Sequence, residues 1–276
     1  MRLKSQKLNK GFTLLELLIV ISIMGLLAGM IMVSFPGVQK RARLAQALQF
    51  SDSLRGSLQM DMIGWWPLDE TSGTVAKDSW FDQFDGTLNG NPQWTEGVIN
   101  GALEFDGNDY VSHPTPDIDP RNGTLEAWVK PNVTHPWGLW QTHNATGQNW
   151  LDWISMFMYS SGRFYFRMGN GSSCCSNDTT FLYNDIVEAG EWMHMAFTWG
   201  GTTMKAYVNG KVVAQRTNAI FQDNVDPGAR IGQGHSIGMN GLIDEVRIYS
   251  VPLPEVRIQQ HYAQGLPSHP RSLVRK

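Results

Sequence analysis

A 24-residue, predominantly apolar run near the N terminus constrains this chain more than any other feature. It extends from Phe12 to Phe35 and contains one charged residue, Glu16. As a helix rising about 1.5 Å per residue it would be ~36 Å long, enough to cross a hydrocarbon core of about 30 Å. An ionised carboxylate in lipid costs several kcal/mol, so an acidic residue inside such a helix points to a function.

The residues on either side of Gly11 have the pattern of a processing site. Residues 1–11 carry four basic and no acidic side chains, Phe12 follows Gly11, and Glu16 lies four residues after Phe12. This pattern closely resembles the N-terminal motif of type IV prepilins and pseudopilins. The resemblance implies that a prepilin peptidase cleaves after Gly11 and N-methylates Phe12. It also implies that Glu16 pairs with the new terminal amine of a neighbouring subunit, whereas the alternative is a plain membrane anchor with an incidental glutamate.

A second, amphipathic part of the same helix is predicted beyond the apolar run. Pro36 removes a helical hydrogen bond and predicts a kink there. Apolar residues then recur at helical spacing up to Met62. The predicted organisation is therefore a leader peptide over residues 1–11 and a pilin-type helix over residues 12–63. Within that helix, residues 12–35 form the transmembrane or filament-core part and residues 36–63 the amphipathic part.

The pattern changes at Gly64, where short runs with β propensity begin to alternate with Gly, Asn, Asp and Pro. This pattern is typical of a β-sandwich or barrel. Asn209-Gly210 between two such runs predicts a type I′ hairpin. A helical period returns only at residues 253–264, and residues 266–276 read as a flexible tail.

Six short phrases in the head resemble the laminin-G-like, concanavalin A-like jelly roll, in the order found there. They occupy residues 66–70, 100–107, 124–129, 191–194, 207–210 and 241–249. The fold class is thus α+β, a long N-terminal helix followed by an all-β jelly-roll sandwich over residues 64–265. The resemblance implies two antiparallel sheets packed face to face, with the first and last strands adjacent. Fold membership does not fix function, because this superfamily contains lectins, protein-binding modules and glycosidases.

A structural Ca²⁺ ion is predicted where the first and last strands meet. Pairing of these strands brings Asp69 and Asp244 together, and members of the superfamily often bind calcium near that position. Asp106 and Asn108, in an Asp-Gly-Asn-Asp turn, are predicted to add oxygen ligands. The alternative is that these residues are turn formers that bond their own backbone.

Ligand binding is predicted for the tryptophans of a long polar segment, residues 132–150, which reads as an end loop. Exposed Trp137, Trp140 and Trp150 would stack on sugar rings or on a partner protein, whereas the alternative is that they fold inward. Residues 64–276 carry 14 basic and 22 acidic side chains, a net charge of −8. This charge argues against nucleic acid and favours neutral glycans, proteins or cation-bridged contacts.

Two cysteines are too few for a disulfide-built scaffold. Cys174 and Cys175 are adjacent, which predicts a vicinal disulfide in an oxidising compartment, although pairing with other chains is the alternative. No Glu-x-Asp-x-x-Glu string of the superfamily's glucanases occurs, so no enzymatic activity is predicted.

The sequence therefore predicts a pilin-like subunit with a single-pass precursor in the inner membrane and its head outside the cytoplasm. After processing it would join other pilin-like subunits in a cell-surface pilus and display the jelly roll for adhesion to glycans or proteins. The first alternative is a pseudopilin of a type II secretion system, in a periplasmic pseudopilus, whose head contacts exported cargo. The second alternative is a membrane-anchored glycan hydrolase.

Overall fold

The computed structural model of the protein divides into two compact units, Met1–Met60 and Asp61–Lys276. The residues that it describes are 14–24, 61–134, 136–143, 154–159, 161–168, 177–182, 189–219, 221 and 224–266.

The described part of the first unit is one helix, α1, over residues 14–24. Its apolar side chains are exposed, and so is Glu16 in its first turn. Among the residues described, no helix combines the length and the apolar character needed to cross a membrane. The predicted leader, Phe12 and the amphipathic segment up to residue 60 lie outside the described residues.

The described part of the second unit, the head, contains 18 strands and one helix. Short runs of β-branched and aromatic residues form the strands, and turn-forming residues separate them. In chain order the elements are β1 (Met62–Trp66), β2 (Val75–Ala76), β3 (Gly86–Asn89), β4 (Gln93–Glu96), β5 (Gly101–Asp106), β6 (Tyr110–Pro114), β7 (Gly123–Pro131), β8 (Trp137–His143), β9 (Ile154–Met158), β10 (Arg163–Met168), β11 (Asn177–Leu182), β12 (Met193–Gly200), β13 (Thr203–Val208), β14 (Lys211–Arg216), β15 (Gly228–Ile231), β16 (Gln233–Gly234), β17 (Ile237–Gly238), β18 (Asn240–Tyr249) and α2 (Glu255–Gly265).

The strands form two large antiparallel sheets. Sheet A has the order β14-β13-β12-β7-β18-β5-β4, with β1 also paired to β18. Sheet B has the order β11-β10-β9-β8-β15-β6-β3-β2, and β16 and β17 form a separate small hairpin. The first and last strands are neighbours, with register from Met62–Tyr249 to Trp66–Val246. The predicted jelly-roll sandwich and the adjacency of its terminal strands are confirmed.

The hydrophobic core lies between the two sheets. Successive side chains of a strand point to opposite faces, so Leu125, Ala127 and Val129 of β7 all face the other sheet. They are at most 1% exposed. Rings from the two sheets meet there: Phe164 of β10 stacks on Phe197 of β12 with centroids 5.5 Å apart. The outer face of each sheet points away from this core.

The predicted hairpin at Asn209-Gly210 is confirmed by positive φ angles of 50° and 75°, which a type I′ turn requires. One boundary prediction is wrong. Met62 and Ile63, the last residues of the predicted amphipathic helix, belong to β1, where pairing with β18 fixes their conformation. The C-terminal helix begins later than predicted because Pro254 lies at its N-cap in an extended conformation.

Candidate functional site

The tryptophans predicted to bind a ligand do not form an exposed loop cluster. Trp137 and Trp140 lie on β8 and are 0% and 1% exposed. The Trp137 ring packs 5.2 Å from that of Phe164. The pairing of β8 with β9 shifts register between Gly138 and Trp140, and such an extra residue turns both indoles towards the core. The predicted stacking role is wrong for these two residues, and Trp150 lies outside the described residues.

Two of the four predicted calcium ligands come together. Asp69 and Asp244 both hold the loop that precedes β5. Asp69 Oδ1 accepts a hydrogen bond from the Gly101 N–H at 2.8 Å. Asp244 Oδ2 accepts bonds from the N–H groups of Val98 and Ile99 at 2.8 and 3.0 Å. The predicted approach of Asp69 to Asp244 follows from the pairing of the first and last strands.

The other two predicted ligands are at the opposite end of β5. Asp106 Oδ1 accepts a hydrogen bond from the Asn108 N–H at 2.9 Å, as in an ordinary Asx turn. Because β5 is six residues long, this turn is about 16 Å from the start of the strand. A single site including Asp106 and Asn108 is therefore wrong. In the part of the chain that is described, no three His, Cys, Asp or Glu side chains converge as a metal site.

Asp244 nevertheless has the environment of a cation ligand. It is 0% exposed, and its Oδ1 atom has no hydrogen-bond partner among the described residues. Burial raises the pKa of Asp244 to about 8, and the nearby Glu245 and Asp69 carboxylates also raise it. A β-bulge with Glu245 at φ 55° buries both adjacent carboxylates. Asp244 and Asp69, with backbone carbonyls, fit the all-oxygen ligand set that calcium takes.

A buried charge cluster lies on the outer face of sheet A beneath α2. Glu126 of β7 is 0% exposed. Its Oε1 atom is 2.7 Å from His261 Nδ1 of α2 and 3.5 Å from Arg247 Nη1. Its Oε2 atom is 3.5 Å from His194 Nε2, and the Tyr249 hydroxyl donates to Oε1 at 3.2 Å. The alternation of β7 places Glu126 outward, and the sequence predicts a helix near α2 but gives no signal that this helix covers Glu126.

This cluster attaches α2 to the sheet. Burial alone would raise the pKa of Glu126, but the imidazoles of His261 and His194 hold that pKa well below 4.5. Burial lowers the pKa of His194 below 6.5, which favours its neutral form. The Tyr262 ring of α2 also stacks on Trp128, with centroids 5.7 Å apart. The helix α2 thus covers this part of the outer face of sheet A, and the buried charged residues hold α2 against the sheet.

The outward side chains of sheet B, called the B face below, form a polar row across five strands. The register pairs Ser112 with Arg230, Arg230 with Gln141, Gln141 with Ser155, and Ser155 with Arg167. Because neighbouring strands lie about 4.8 Å apart, the row is roughly 20 Å wide. Gln141, Ser155 and Arg167 are nevertheless buried. The β16–β17 segment packs on the middle of the row, where the His235 N–H donates to Ser155 Oγ at 3.0 Å.

Aromatic rings flank one end of this row. Phe157 and Tyr165 stack with centroids 5.4 Å apart and an interplanar angle of 5°. The His235 ring also stacks on Phe157, with centroids 4.9 Å apart. Tyr159 meets Tyr165 edge-on at 5.3 Å, and the Arg167 guanidinium lies 5.2 Å from the rings of both Phe157 and Tyr165. Tyr159, Tyr165 and His235 are partly exposed.

The other end combines one ring with fixed polar groups. The Arg230 guanidinium lies 4.3 Å above the Tyr110 ring. Arg230 Nη1 donates to Gln233 Oε1 at 2.6 Å, and Gln141 Nε2 donates to the same oxygen at 3.3 Å. Ring faces for stacking, together with amide and guanidinium groups held in place, can orient a saccharide or a peptide.

The remaining predicted sites are only partly within the described residues. Glu16 lies on α1. Gly11 and Phe12 of the cleavage site, and the cysteines Cys174 and Cys175, lie outside the described residues, so these predictions stay as they were.

The sandwich and the N-terminal motif define the class of the protein. Residues 105–259 match the Concanavalin A-like lectin/glucanases superfamily in its Laminin_G_3 form, and the chain belongs to this family. Residues 6–32 match the prokaryotic N-terminal methylation motif. Both resemblances drawn from the sequence are confirmed.

The curated relatives match the N-terminal part. The type IV major pilin protein PilE of Neisseria gonorrhoeae is 36% identical over 74 residues, which are 26% of this chain and 44% of that protein. The fimbrial protein EcpC of Eikenella corrodens is 27% identical over 112 residues, 37% of this chain and 67% of that protein. The chain thus spans less than half the length of PilE.

Solved structures match the head. Domain 4 of AbnA, an extracellular arabinanase of Geobacillus stearothermophilus solved in complex with arabinotriose, has a TM-score of 0.58 and 21% identity, covering 72% of this chain and 97% of that one. The binding domain of botulinum neurotoxin serotype D has a TM-score of 0.58 and 15% identity, covering 75% and 53%. At these identities the likeness shows the fold.

Proposed function

We propose that this chain is a pilin-like subunit that carries a lectin-like head on a type IV pilus or a related filament. The observation that carries the proposal is the presence, in one chain, of a methylation motif with pilin relatives and a concanavalin A-like sandwich. Prepilin peptidase would cleave after Gly11 and methylate Phe12. The precursor would span the inner membrane with its head outside the cytoplasm.

Assembly would use the acidic residue of the N-terminal helix. Cleavage creates a terminal amine, and this cation can compensate the carboxylate of Glu16 when two helices lie side by side. A pseudopilin of a type II secretion system would use the same pairing, and its head would contact exported cargo. In either system the head has a binding rather than a catalytic role, as its pilin relatives and lectin-like fold suggest.

The first prediction concerns processing and assembly. Mass spectrometry of the mature protein is expected to find a polypeptide that begins at N-methylated Phe12. Glu16→Val is expected to leave membrane insertion and cleavage intact but to reduce incorporation into filaments at least tenfold, because the amine loses its partner. Sheared filaments are quantified by immunoblot, with the exposed head residue Glu104 changed to Gln as a matched control. Normal incorporation of Glu16→Val would contradict the pairing.

We infer that the ligand of the head, a glycan or a protein, binds at the B face. The support is the pair of partly exposed rings, Tyr159 and Tyr165, that lie on this face beside the β16–β17 segment. Tyr165→Ala is expected to weaken binding to a glycan array about tenfold through loss of ring stacking. Phe81→Ala, at an exposed aromatic residue of the β2–β3 loop, is the matched control. Equal binding by both variants would place the ligand elsewhere.

A calcium ion at Asp244 and Asp69 is proposed to stabilise the head, since it would compensate the buried Asp244 Oδ1 atom, for which the described residues provide no hydrogen bond. Saturating calcium is expected to raise the melting temperature by about 5–10 °C, the size expected when the ion is present at roughly 100 times its Kd. Asp244→Asn is expected to remove this shift, and Asp106→Asn, at the other end of β5, to keep it. Differential scanning fluorimetry of the full chain in detergent micelles, with and without chelator, measures both. A melting temperature that ignores calcium in the wild type would exclude the site.

A further inference from the structure

We propose that the head has a second binding site, for a small neutral saccharide, in a cleft on the outer face of sheet A. This cleft, called the A cleft below, lies between the strands β12, β13 and β14 and the segment that leads into α2, and its volume is about 380 Å³. Sites for small molecules commonly measure about 300–1,000 Å³. The inference rests on the proposed function only in that it takes a glycan as a ligand of the head, and it does not use the B face.

The floor of the A cleft is a row of polar side chains on three neighbouring strands. The register pairs Thr198 with Lys205, and Lys205 with Gln215. These side chains point outward because their neighbours along the strands, such as Phe197 and Met204, belong to the core. Neighbouring strands lie about 4.8 Å apart, so the row is about 10 Å wide. Gln215 is exposed and Lys205 is half-buried, so this part of the row is open to solvent.

The wall of the A cleft is a segment with little freedom to move. Pro252 and Pro254 each fix their own φ angle. Between them, the Leu253 N–H donates a hydrogen bond to the Thr124 hydroxyl at 2.8 Å. Pro252 also packs so closely on Gly200 that a Cβ atom at residue 200 would lie 2.7 Å from Pro252 Cγ. The wall is therefore in place before a ligand arrives, which reduces the entropy lost on binding.

One cation and one carboxylate line the A cleft from different elements. Lys205 lies on its floor, and Glu255, the first residue of α2, is exposed at its wall. Gln259 Nε2 donates to Glu255 Oε1 at 3.0 Å and so orients the carboxylate. Within the described part of the chain, neither Lys205 nor Glu255 forms a salt bridge. The ammonium donors of Lys205 and the Oε2 atom of Glu255 are therefore available to a ligand.

Two hydroxyl groups are the least exposed of the polar groups that line the A cleft. Thr198 and Tyr207 are 5% and 1% exposed, and their side chains are hydrogen-bonded to each other. Burial raises the pKa of Tyr207, and the nearby Glu255 carboxylate raises it further. Tyr207 is therefore a neutral phenol at physiological pH, and a neutral hydroxyl both donates and accepts hydrogen bonds.

This set of groups fits the hydroxyl groups of a neutral sugar. A sugar hydroxyl can accept a hydrogen bond from Lys205 or Gln215 while it donates one to Glu255. A charged ligand would instead meet a like charge on one side of the cleft. The exposed rings of Pro252 and Pro254 offer apolar surface to the C–H face of a sugar. The volume suits a mono- or disaccharide, and the net charge of −8 over residues 64–276 also favours a neutral glycan.

The test compares small sugars that differ in one charged group. Glucose, glucosamine and glucuronic acid, and the corresponding galactose series, are titrated against the full chain in detergent micelles by saturation-transfer NMR. The neutral sugar of at least one series is expected to bind with a Kd in the millimolar range or tighter. Its two charged counterparts are expected to bind at least threefold more weakly. An array of neutral glycans is probed in parallel.

Variants then locate the site. Lys205→Met and Glu255→Gln each remove one charge at nearly constant size. Each is expected to weaken binding of the neutral sugar about tenfold, because the sugar loses a hydrogen bond to a charged group. Lys211→Met on β14 and Glu104→Gln on β5, both exposed and outside the A cleft, are the matched controls and are expected to keep the wild-type affinity. Thermal melting shows whether each variant is folded.

The outcomes separate the A cleft from the proposed function. Binding of a neutral sugar that Lys205→Met and Glu255→Gln both keep would overturn the A cleft, and a loss on Tyr165→Ala would then leave the B face as the site. Tighter binding of a charged counterpart would overturn the neutral ligand. If no neutral sugar or arrayed glycan binds, the inference is overturned, whereas filament assembly is still decided by the Glu16 variant.

Discussion

Replacing Glu126 with glutamine is expected to lower the free energy of unfolding of the head by about 3–5 kcal/mol, the cost of removing one partner from a buried ion pair. Glu126 is 0% exposed and lies between His261 of α2 and Arg247 of β18. Without its carboxylate, the buried Arg247 guanidinium loses a compensating charge and His261 loses a close polar partner. Chemical unfolding of the full chain in detergent micelles, followed by tryptophan fluorescence, measures the change.

Two comparisons test this explanation. Glu104→Gln, at an exposed position of β5, is expected to change stability by less than about 0.5 kcal/mol. The folded-state pKa of Glu126 lies below its ordinary value of 4.5, so its contribution is complete above pH 4.5 and is lost as the pH falls towards the lower value. The difference between the wild type and Glu126→Gln should therefore narrow in acid. A difference that stays constant down to low pH would contradict the role of the charge.

Trp137→Ala is expected to destabilise the head by about 3–5 kcal/mol, as the loss of a large buried aromatic side chain does. Trp137 is 0% exposed and packs against Phe164, so truncation leaves a cavity in the core between the sheets. Trp137→Phe should recover much of the stability. The same unfolding assay measures both variants, and glycan binding is measured under conditions in which each is folded.

The Trp137→Ala variant also distinguishes a core position from a ligand-binding role for Trp137. A Trp137→Ala protein with wild-type stability and a selective loss of ligand binding would restore the stacking role predicted from the sequence. Loss of stability with unchanged affinity in the folded fraction would agree with a core position.

Much of the head could be predicted because its signals are local. The alternation of short runs of β propensity with turn residues predicted a sandwich, and turn residues end strands such as β10 and β14. The Asn209-Gly210 turn needs two positive φ angles, which few other residue pairs adopt readily. The approach of Asp69 to Asp244 follows from topology, which the resemblance supplied, whereas the calcium ion itself stays a prediction.

What could not be predicted depends on register and on distant packing. One additional residue in β8 is enough to turn Trp140 inward together with Trp137. The sequence of β8 does not show where this bulge lies. Asp106 shares a strand with the Asp69 site, but only the pairing of Asn240 with Asp106 shows that it lies at the far end. The burial of Glu126 depends on the packing of a helix more than a hundred residues later, and no local pattern indicates that contact.

The pairing of β1 with β18 determines how the head responds to a pull applied through the N-terminal end of the chain. Residue 61 is where the chain enters the head, so a pull transmitted along the polypeptide reaches β1 first. β1 is hydrogen-bonded to β18, and β18 in turn is bonded to β7 and β5 in the interior of sheet A. Among the described strands β1 pairs with β18 alone, so the β1–β18 hydrogen bonds resist the pull and connect residue 61 to a strand that is paired on both sides.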